Sequence, residues 1–185
     1  MTITASMLRY HFLSFYKGES NEQSAKECYN AIEQALGDLG ILTPLTLIGA
    51  LATVRVECGR SFKPVREIAS GEAYEGRKDL GNTEKGDGIR FAGKGWIQLT
   101  GRANYKTYGD KLGIDLINNP DLALQPEVSA KILALYFKNR AVNVACNNND
   151  WLEVRKKING VNRSTGLPNG WNEFESVVNQ YLKKL

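Results

Sequence analysis

Apolar residues recur at helical spacing along most of the chain. In residues 22–38, Ala25, Cys28, Ala31, Ile32 and Leu36 fall on one face, which predicts a helix there, with Gly37 and Gly40 as stop signals. Thr43-Pro44 reads as a cap followed by proline at the first helical position. From there to Glu57 the pattern is apolar on nearly every side: Leu45, Leu47, Ile48, Leu51, Ala52, Val54 and Val56. A helix of that kind is expected to be central and covered by others. Helical periodicity then vanishes. Eight of the 18 glycines lie between Gly59 and Gly95, which predicts a long structured excursion of turns with a small hairpin. Helical patterning returns after Thr100, with helices expected over 102–112 (stopping at Gly113), from about Pro126, over 150–158 and over 172–184. The expected fold is mainly α, a single domain over 1–185 with a glycine-rich insert around residues 59–95.

Composition narrows the chemistry. A chain of 185 residues, 42% hydrophobic and 24% charged, is long enough for one sizeable core and does not read as disordered. There is one histidine, His11, and three scattered cysteines, Cys28, Cys58 and Cys146. These cannot furnish a closed four-ligand zinc site of the usual kind, and a nucleophilic triad would have to hang on His11. Neither GxxxxGK[ST] nor GxGxxG occurs, so nucleotide chemistry lacks its marker. No metal and no cofactor are expected, and carboxylates are what remain. The net charge of +4 is uneven: residues 1–92 carry 11 Lys and Arg against 12 Asp and Glu, residues 93–185 carry 13 against 8. That surplus suits an anionic partner and suits an ordinary soluble protein equally. No arginine-rich arm points to specific nucleic-acid binding. The odd cysteine count reads as reduced thiols. The first twenty residues lack a basic start followed by an apolar stretch, so no secretory leader is expected. The longest apolar stretch, residues 41–54, is broken by Thr and Gly and fits a buried helix rather than a membrane span.

Glu57 ends the most apolar helix. Apolar surroundings and the negative end of the helix dipole both disfavour its charged form, as a general acid requires. Pairing with Arg55 or Arg60 would oppose this, and an ordinary surface salt bridge is the plainer reading. Glu67, Glu72, Glu75 and Asp79 follow in the glycine-rich excursion. One carboxyl on a helix end and a second on a loop is how a glycosidase spans its scissile bond, a wide gap implying inversion and a narrow one a covalent intermediate. Each loop acid reads equally as a solvated charge, since seven Lys and Arg lie within 57–90. In residues 91–105, glycines at 93, 95 and 101 permit close backbone approach. Trp96 offers a stacking face, and Gln98, Thr100 and Asn104 offer neutral polar groups suited to a polyhydroxylated ligand. The alternative is a tight loop with Trp96 in the core and Thr100 capping the helix at 102.

Three stretches carry a resemblance: VECGRSFKPVRE at 56–67, YEGRKDLGNTEKGDGIRFAGKGWIQLTGRANY at 74–105 and LGIDLINNPDLAL at 112–124, with a weaker echo in KINGVN at 157–162. The sequence there resembles the family 19 glycoside hydrolases, and within them the phage and prophage endolysin branch. The resemblance implies a lysozyme-like fold and cofactor-free, inverting hydrolysis of β-1,4 bonds in N-acetylated aminosugar polymers. It implies Glu57 as general acid, Glu67 as the carboxylate that activates water (with Glu75 as competitor) and Thr100 as the residue that orients that water. Tyr74, Trp96, Gln98, Asn104, Tyr105 and Asn159 match positions lining the sugar cleft. The chain departs from the family pattern at Val56, where many members have His, at Cys58, where they have Thr or Ser, and at Val161 in the Asn-Gly-Gly element. It lacks the plant members' loop insertions and disulfides, which favours peptidoglycan glycan strands over chitin. The implied protein is a monomeric endolysin, without a separate wall-binding domain, made in the host bacterial cytoplasm and acting on the wall in the periplasm after membrane permeabilisation. Its basic C-terminal half would meet anionic outer-membrane lipopolysaccharide. The alternatives are a chitinase acting on N-acetylglucosamine polymers and a catalytically dead carbohydrate-binding module.

Overall fold

A computed structural model describes residues 4–183. Along the chain these form α1 (Ala5–Ser14), α2 (Glu22–Asp38), α3 (Pro44–Glu57), β1 (Val65–Arg66), α4 (Asp87–Arg90), β2 (Lys94–Gly95), α5 (Arg102–Leu112), α6 (Pro126–Asn139), α7 (Val142–Asn147), α8 (Trp151–Asn159) and α9 (Trp171–Leu182). Short 3-10 turns occupy Gly59–Ser61, Glu72–Tyr74, Lys78–Leu80 and Pro120–Leu124. The fold is mainly α, as expected. The residues group into two compact units: one runs to Phe62 and resumes at Leu133, the other is Lys63–Ile132.

In the first unit, α3 packs against α2, α7 and α9. Its nine residues from Thr46 to Val54 are all buried, which is why its apolar pattern has no polar side. Thr43 caps it as expected, its hydroxyl accepting from the Thr46 N–H at 3.0 Å; such a cap is worth about 1 kcal/mol. Buried Thr53 donates to the Gly49 carbonyl at 2.7 Å, so the helix carries no orphaned hydroxyl. Gly49 lets α7 approach: a Cβ there would lie 2.5 Å from Cys146 Sγ. Phe12, Tyr16, Tyr29, Phe62 and Tyr181 form an aromatic cluster, closed by a 3.0 Å contact between the Tyr16 and Tyr181 hydroxyls. Of the two glycine stop signals, Gly37 lies inside α2, and Gly40, at φ +67°, makes the turn.

The second unit is built from turns. β1 and β2 pair antiparallel, Val65 with Gly95 and Arg66 with Lys94. The antiparallel pair within the glycine-rich insert is short: its strands are two residues long and lie far apart in sequence, and beyond it Lys94 and Leu99 exchange backbone hydrogen bonds across a tight turn. Side chains bonded to backbone hold the intervening loop. Asp87, 1% exposed, accepts from the Thr83 and Glu84 N–H groups and from Arg102 at 2.6 and 2.8 Å. The Arg102 guanidinium holds the Asp87 carboxyl below the usual aspartate range. Asn82 donates to Tyr74 O and accepts from Arg102 N, so Asn82 caps α5. Thr100 was expected in that role; its hydroxyl donates instead to Gln98 O at 2.9 Å, and Gly101 stands at the N-cap.

Candidate active site

Glu57 is the last residue of α3. Its Oε1 accepts from Arg155 Nη1 at 2.6 Å and from Asn159 Nδ2 at 2.9 Å. Arg155 and Asn159 lie one turn apart on α8, so one helix face presents both donors to one oxygen. Oε2 accepts no hydrogen bond among the described residues. Neither arginine expected as partner takes that place: Arg55 pairs with Glu173 at 3.4 Å and Arg60 with Glu19 at 3.7 Å.

Arg155 is 2% exposed. A buried guanidinium is tolerated when it is paired and its other donors are satisfied. Nε donates to Asn169 O at 2.7 Å, and the group lies over the Phe174 ring at 5.7 Å. Gly170, at φ +68°, completes the seat, since a Cβ there would come within 2.6 Å of Nη2. Asn169 Nδ2 in turn donates to Asn159 O. Asp150 caps α8 through the Glu153 N–H. The sequence reading missed Arg155. The available signal was its place on the apolar face of α8, between Trp151 and Ile158 at i−4 and i+3, where an unpaired charge would be costly.

In the second unit, Glu67 follows β1. Its Oε1 accepts from the Tyr74 hydroxyl at 2.8 Å and its Oε2 from the Gly93 N–H at 3.1 Å. The Glu67 carboxylate beside it pushes the Tyr74 phenol up, so Tyr74 stays a donor. Gly93 matters for space: a Cβ there would stand 2.7 Å from Gln98 Oε1, 3.1 Å from Glu67 Oε2 and 3.3 Å from Thr100 Oγ1. Three side-chain oxygens therefore converge on one bare backbone position. Gln98 is fixed there because its Nε2 donates to the Val65 and Gly95 carbonyls, both at 2.9 Å. Asn104 remains exposed and donates to Thr100 O at 2.7 Å.

Glu75 is placed differently. Its two oxygens accept from the Gly86 and Gly88 N–H groups at 2.6 and 2.8 Å, which makes it a clamp across the 75–88 loop. Two expected sugar contacts are overturned. Trp96 is fully buried, with its backbone N–H donating to Ser129 Oγ at 2.7 Å, so its ring has no face for a sugar. Tyr105 is also fully buried and donates to Ala92 O at 3.0 Å. Apolar packing claims both rings. Among the described residues no group of three or more His, Cys, Asp or Glu could hold a metal ion, and no helix is long and apolar enough to cross a membrane.

Comparison with known proteins follows the same lines. The chain is 35% identical over 89 residues to Chitinase 11 of Oryza sativa subsp. japonica, covering 48% of this chain and 35% of that protein. It is 32% identical over 79 residues to a glycosyl hydrolase family 19 domain-containing protein of Haemophilus influenzae, covering 43% and 39%. The chain thus spans about a third of the length of the curated relatives it matches. A crystal structure of a bacterial family 19 chitinase superposes with a TM-score of 0.64 at 22% identity, over 100% of this chain and 95% of that one, which shows the fold. The family described as chitinase class I matches residues 55–179, through both Glu57 and Glu67, and the chain belongs to that family, the family 19 glycoside hydrolases.

Proposed function

We propose that this protein is an endolysin that hydrolyses the β-1,4 glycosidic bonds of bacterial peptidoglycan with inversion at the anomeric carbon. Two carboxylates are held by donors of known position, and this observation carries the reading. Glu57 delivers a proton to the oxygen leaving the sugar. Its Oε1 is fixed by Arg155 and Asn159, leaving Oε2 to carry that proton. Glu67, steadied by Tyr74 and Gly93, takes a proton from water as that water attacks the anomeric carbon from the opposite face. Thr100 Oγ1 donates to Gln98 O, so its lone pairs remain to orient the water. Glu67 is preferred over Glu75 because side-chain oxygens able to hold water surround it, whereas both Glu75 oxygens are spent on loop backbone. After cleavage the proton on Glu67 and the charge on Glu57 exchange through solvent and the pair is reset.

The basic surplus of residues 93–185 favours an anionic wall polymer as substrate. Such an enzyme is made in the host cytoplasm and reaches the wall once the membrane is breached. The second reading, a chitinase acting on N-acetylglucosamine polymers, is favoured by the relatives that are named chitinases. Equal amounts of purified peptidoglycan and N-acetylglucosamine hexamer, offered separately, decide between them. The endolysin reading expects faster release from peptidoglycan, and a clear preference for the hexamer would replace it with the chitinase reading. Proton NMR of the newly formed reducing end tests the chemistry: inversion gives the α-anomer first, and a β-anomer first would rule out the water-activating role of Glu67.

A further inference from the structure

The second unit carries an open groove of about 520 Å³, bounded by α4, β1 and the Pro120–Leu124 turn. Two arginines line it. Arg90 Nη2 donates to the Ile117 and Asn118 carbonyls at 3.0 and 3.5 Å, and its guanidinium lies 5.6 Å from the Phe91 ring centroid. These acceptors are neutral, so the guanidinium is held in place while its charge has no ion-pair partner among the described residues. Arg66 pairs at 2.7 Å with Asp121, an exposed carboxylate that also lies 3.9 Å from Lys94. Exposed pairs of this kind contribute little and leave the arginine open to a competing anion. Asp115, the other nearby carboxylate, accepts from Asn118 and also lies within the field of Arg90, which helps hold its carboxyl below the usual aspartate range. Three cations, Arg66, Arg90 and Lys94, therefore stand against two carboxylates, Asp121 and Asp115, around the groove. Its lining adds an apolar strip of Ile89 (54% exposed), Pro120 and Leu122 beside the amides of Asn118, Asn119 and Gln125.

Anchored cations beside an apolar strip match a short acidic peptide: carboxylates for the guanidinium forks and small side chains for the floor. We propose that this groove binds the acidic peptide stem attached to peptidoglycan glycan strands, an inference that rests on the peptidoglycan reading above. Arg66 directly precedes Glu67, and successive side chains of an extended strand point to opposite faces. Four extended residues span about 13 Å, the reach a stem would have from a sugar at Glu67 toward Arg66 and Arg90. Chitin carries no such stem, so the groove would serve one substrate and stand idle on the other.

The test titrates the free stem tetrapeptide (L-Ala, D-Glu, diaminopimelate, D-Ala) into the whole protein, followed by NMR, for wild type, Arg66→Ala and Arg90→Gln. Both arginines are surface residues, and a thermal melt checks that each variant is folded. The expected result is perturbed amide signals at residues 89–90, 118–119 and 121–122, with affinity lowered about tenfold in Arg90→Gln, the loss of one charge-assisted contact. On intact peptidoglycan the same variant should raise KM by a similar factor at unchanged kcat, while cleavage of peptide-stripped glycan stays at the wild-type rate. Failure of the tetrapeptide to bind wild type overturns the proposal. So does inorganic phosphate displacing it at equal concentration, or an equal loss on stripped glycan. An enzyme that cleaves the hexamer and never peptidoglycan refutes the substrate reading by itself, and the tetrapeptide titration still decides the groove.

Discussion

The two proposed catalytic carboxylates are held by opposite means. Glu57 ends a helix buried almost throughout, and an arginine 98 residues away grips it from a helix whose own packing fixes the grip. Glu67 stands among turns, and its donors, Tyr74 and Gly93, come from the same glycine-rich stretch. In the helical unit apolar contact supplies rigidity, and a buried charge is added where it can be fully bonded. In the other unit rigidity comes from polar side chains tied to backbone: Glu75 to residues 86 and 88, Asp87 to residues 83 and 84, Asn82 to residues 74 and 102. Periodic apolar packing thus holds the one carboxylate and aperiodic polar bonding the other. Damage should differ accordingly, with stability suffering at Arg155 and rate suffering at Glu67.

The largest separation of these effects is expected at the loop acids. Glu67→Gln should lower kcat on any glycan more than a hundredfold with little change in melting temperature. Glu75→Gln should keep kcat within a few fold and lower the melting temperature, since it weakens two bonds to loop backbone. Reversed outcomes would exchange the two roles. Next, Arg155→Met should cost about 3 kcal/mol in denaturant unfolding, because it strands Glu57 against a packed helix. A melt unchanged from wild type would show that the pair is decorative. Gly93→Ala should lower kcat about tenfold with an intact fold by pushing Glu67, Gln98 and Thr100 apart.

The smallest expected effect concerns pH. Lys94, 1% exposed with Nζ bonded to Arg90 O at 2.7 Å, is pushed by burial down to about 8 from an ordinary 10.5. Between those values the unfolded chain binds more protons at this side chain than the folded one. The Lys94 contribution to stability is therefore complete above about 10.5 and is lost as pH falls through about 8. The unfolding free energy of wild type minus that of Lys94→Met should rise with pH across this window, and a flat difference in urea titrations would remove the assignment.

The helical elements were legible because burial on one side imposes a period. α2 and α3 match their expected spans closely, and the Thr43-Pro44 start matches in detail. α1 and α7 went unread. α1 buries only Leu8 and Phe12, and α7 is six residues long after a left-handed Ala141, too short to show a period. Glu57 could be singled out because a charge closing an apolar run stands out. Its partner could not, because a pairing across 98 residues leaves no local trace. The aromatic residues in 91–105 misled for a related reason: exposure is a tertiary property, and the composition of a glycine-rich loop does not say which rings it folds over. Gln98 and Tyr74 match sugar-cleft positions, and in the fold they also brace it, Gln98 through Nε2 to Val65 and Gly95 and Tyr74 through its hydroxyl to Glu67, a role that residue type alone does not distinguish.

The most direct measurement compares wild type and Glu57→Gln on two substrates that differ only in the leaving group: an N-acetylglucosamine oligosaccharide, and the same oligosaccharide carrying dinitrophenol at its reducing end. A sugar alkoxide needs a proton to leave and dinitrophenolate does not. If Glu57 is the proton donor, the variant loses at least a hundredfold on the first and stays within a few fold of wild type on the second. An equal loss on both, or no loss on the first, would contradict the assignment.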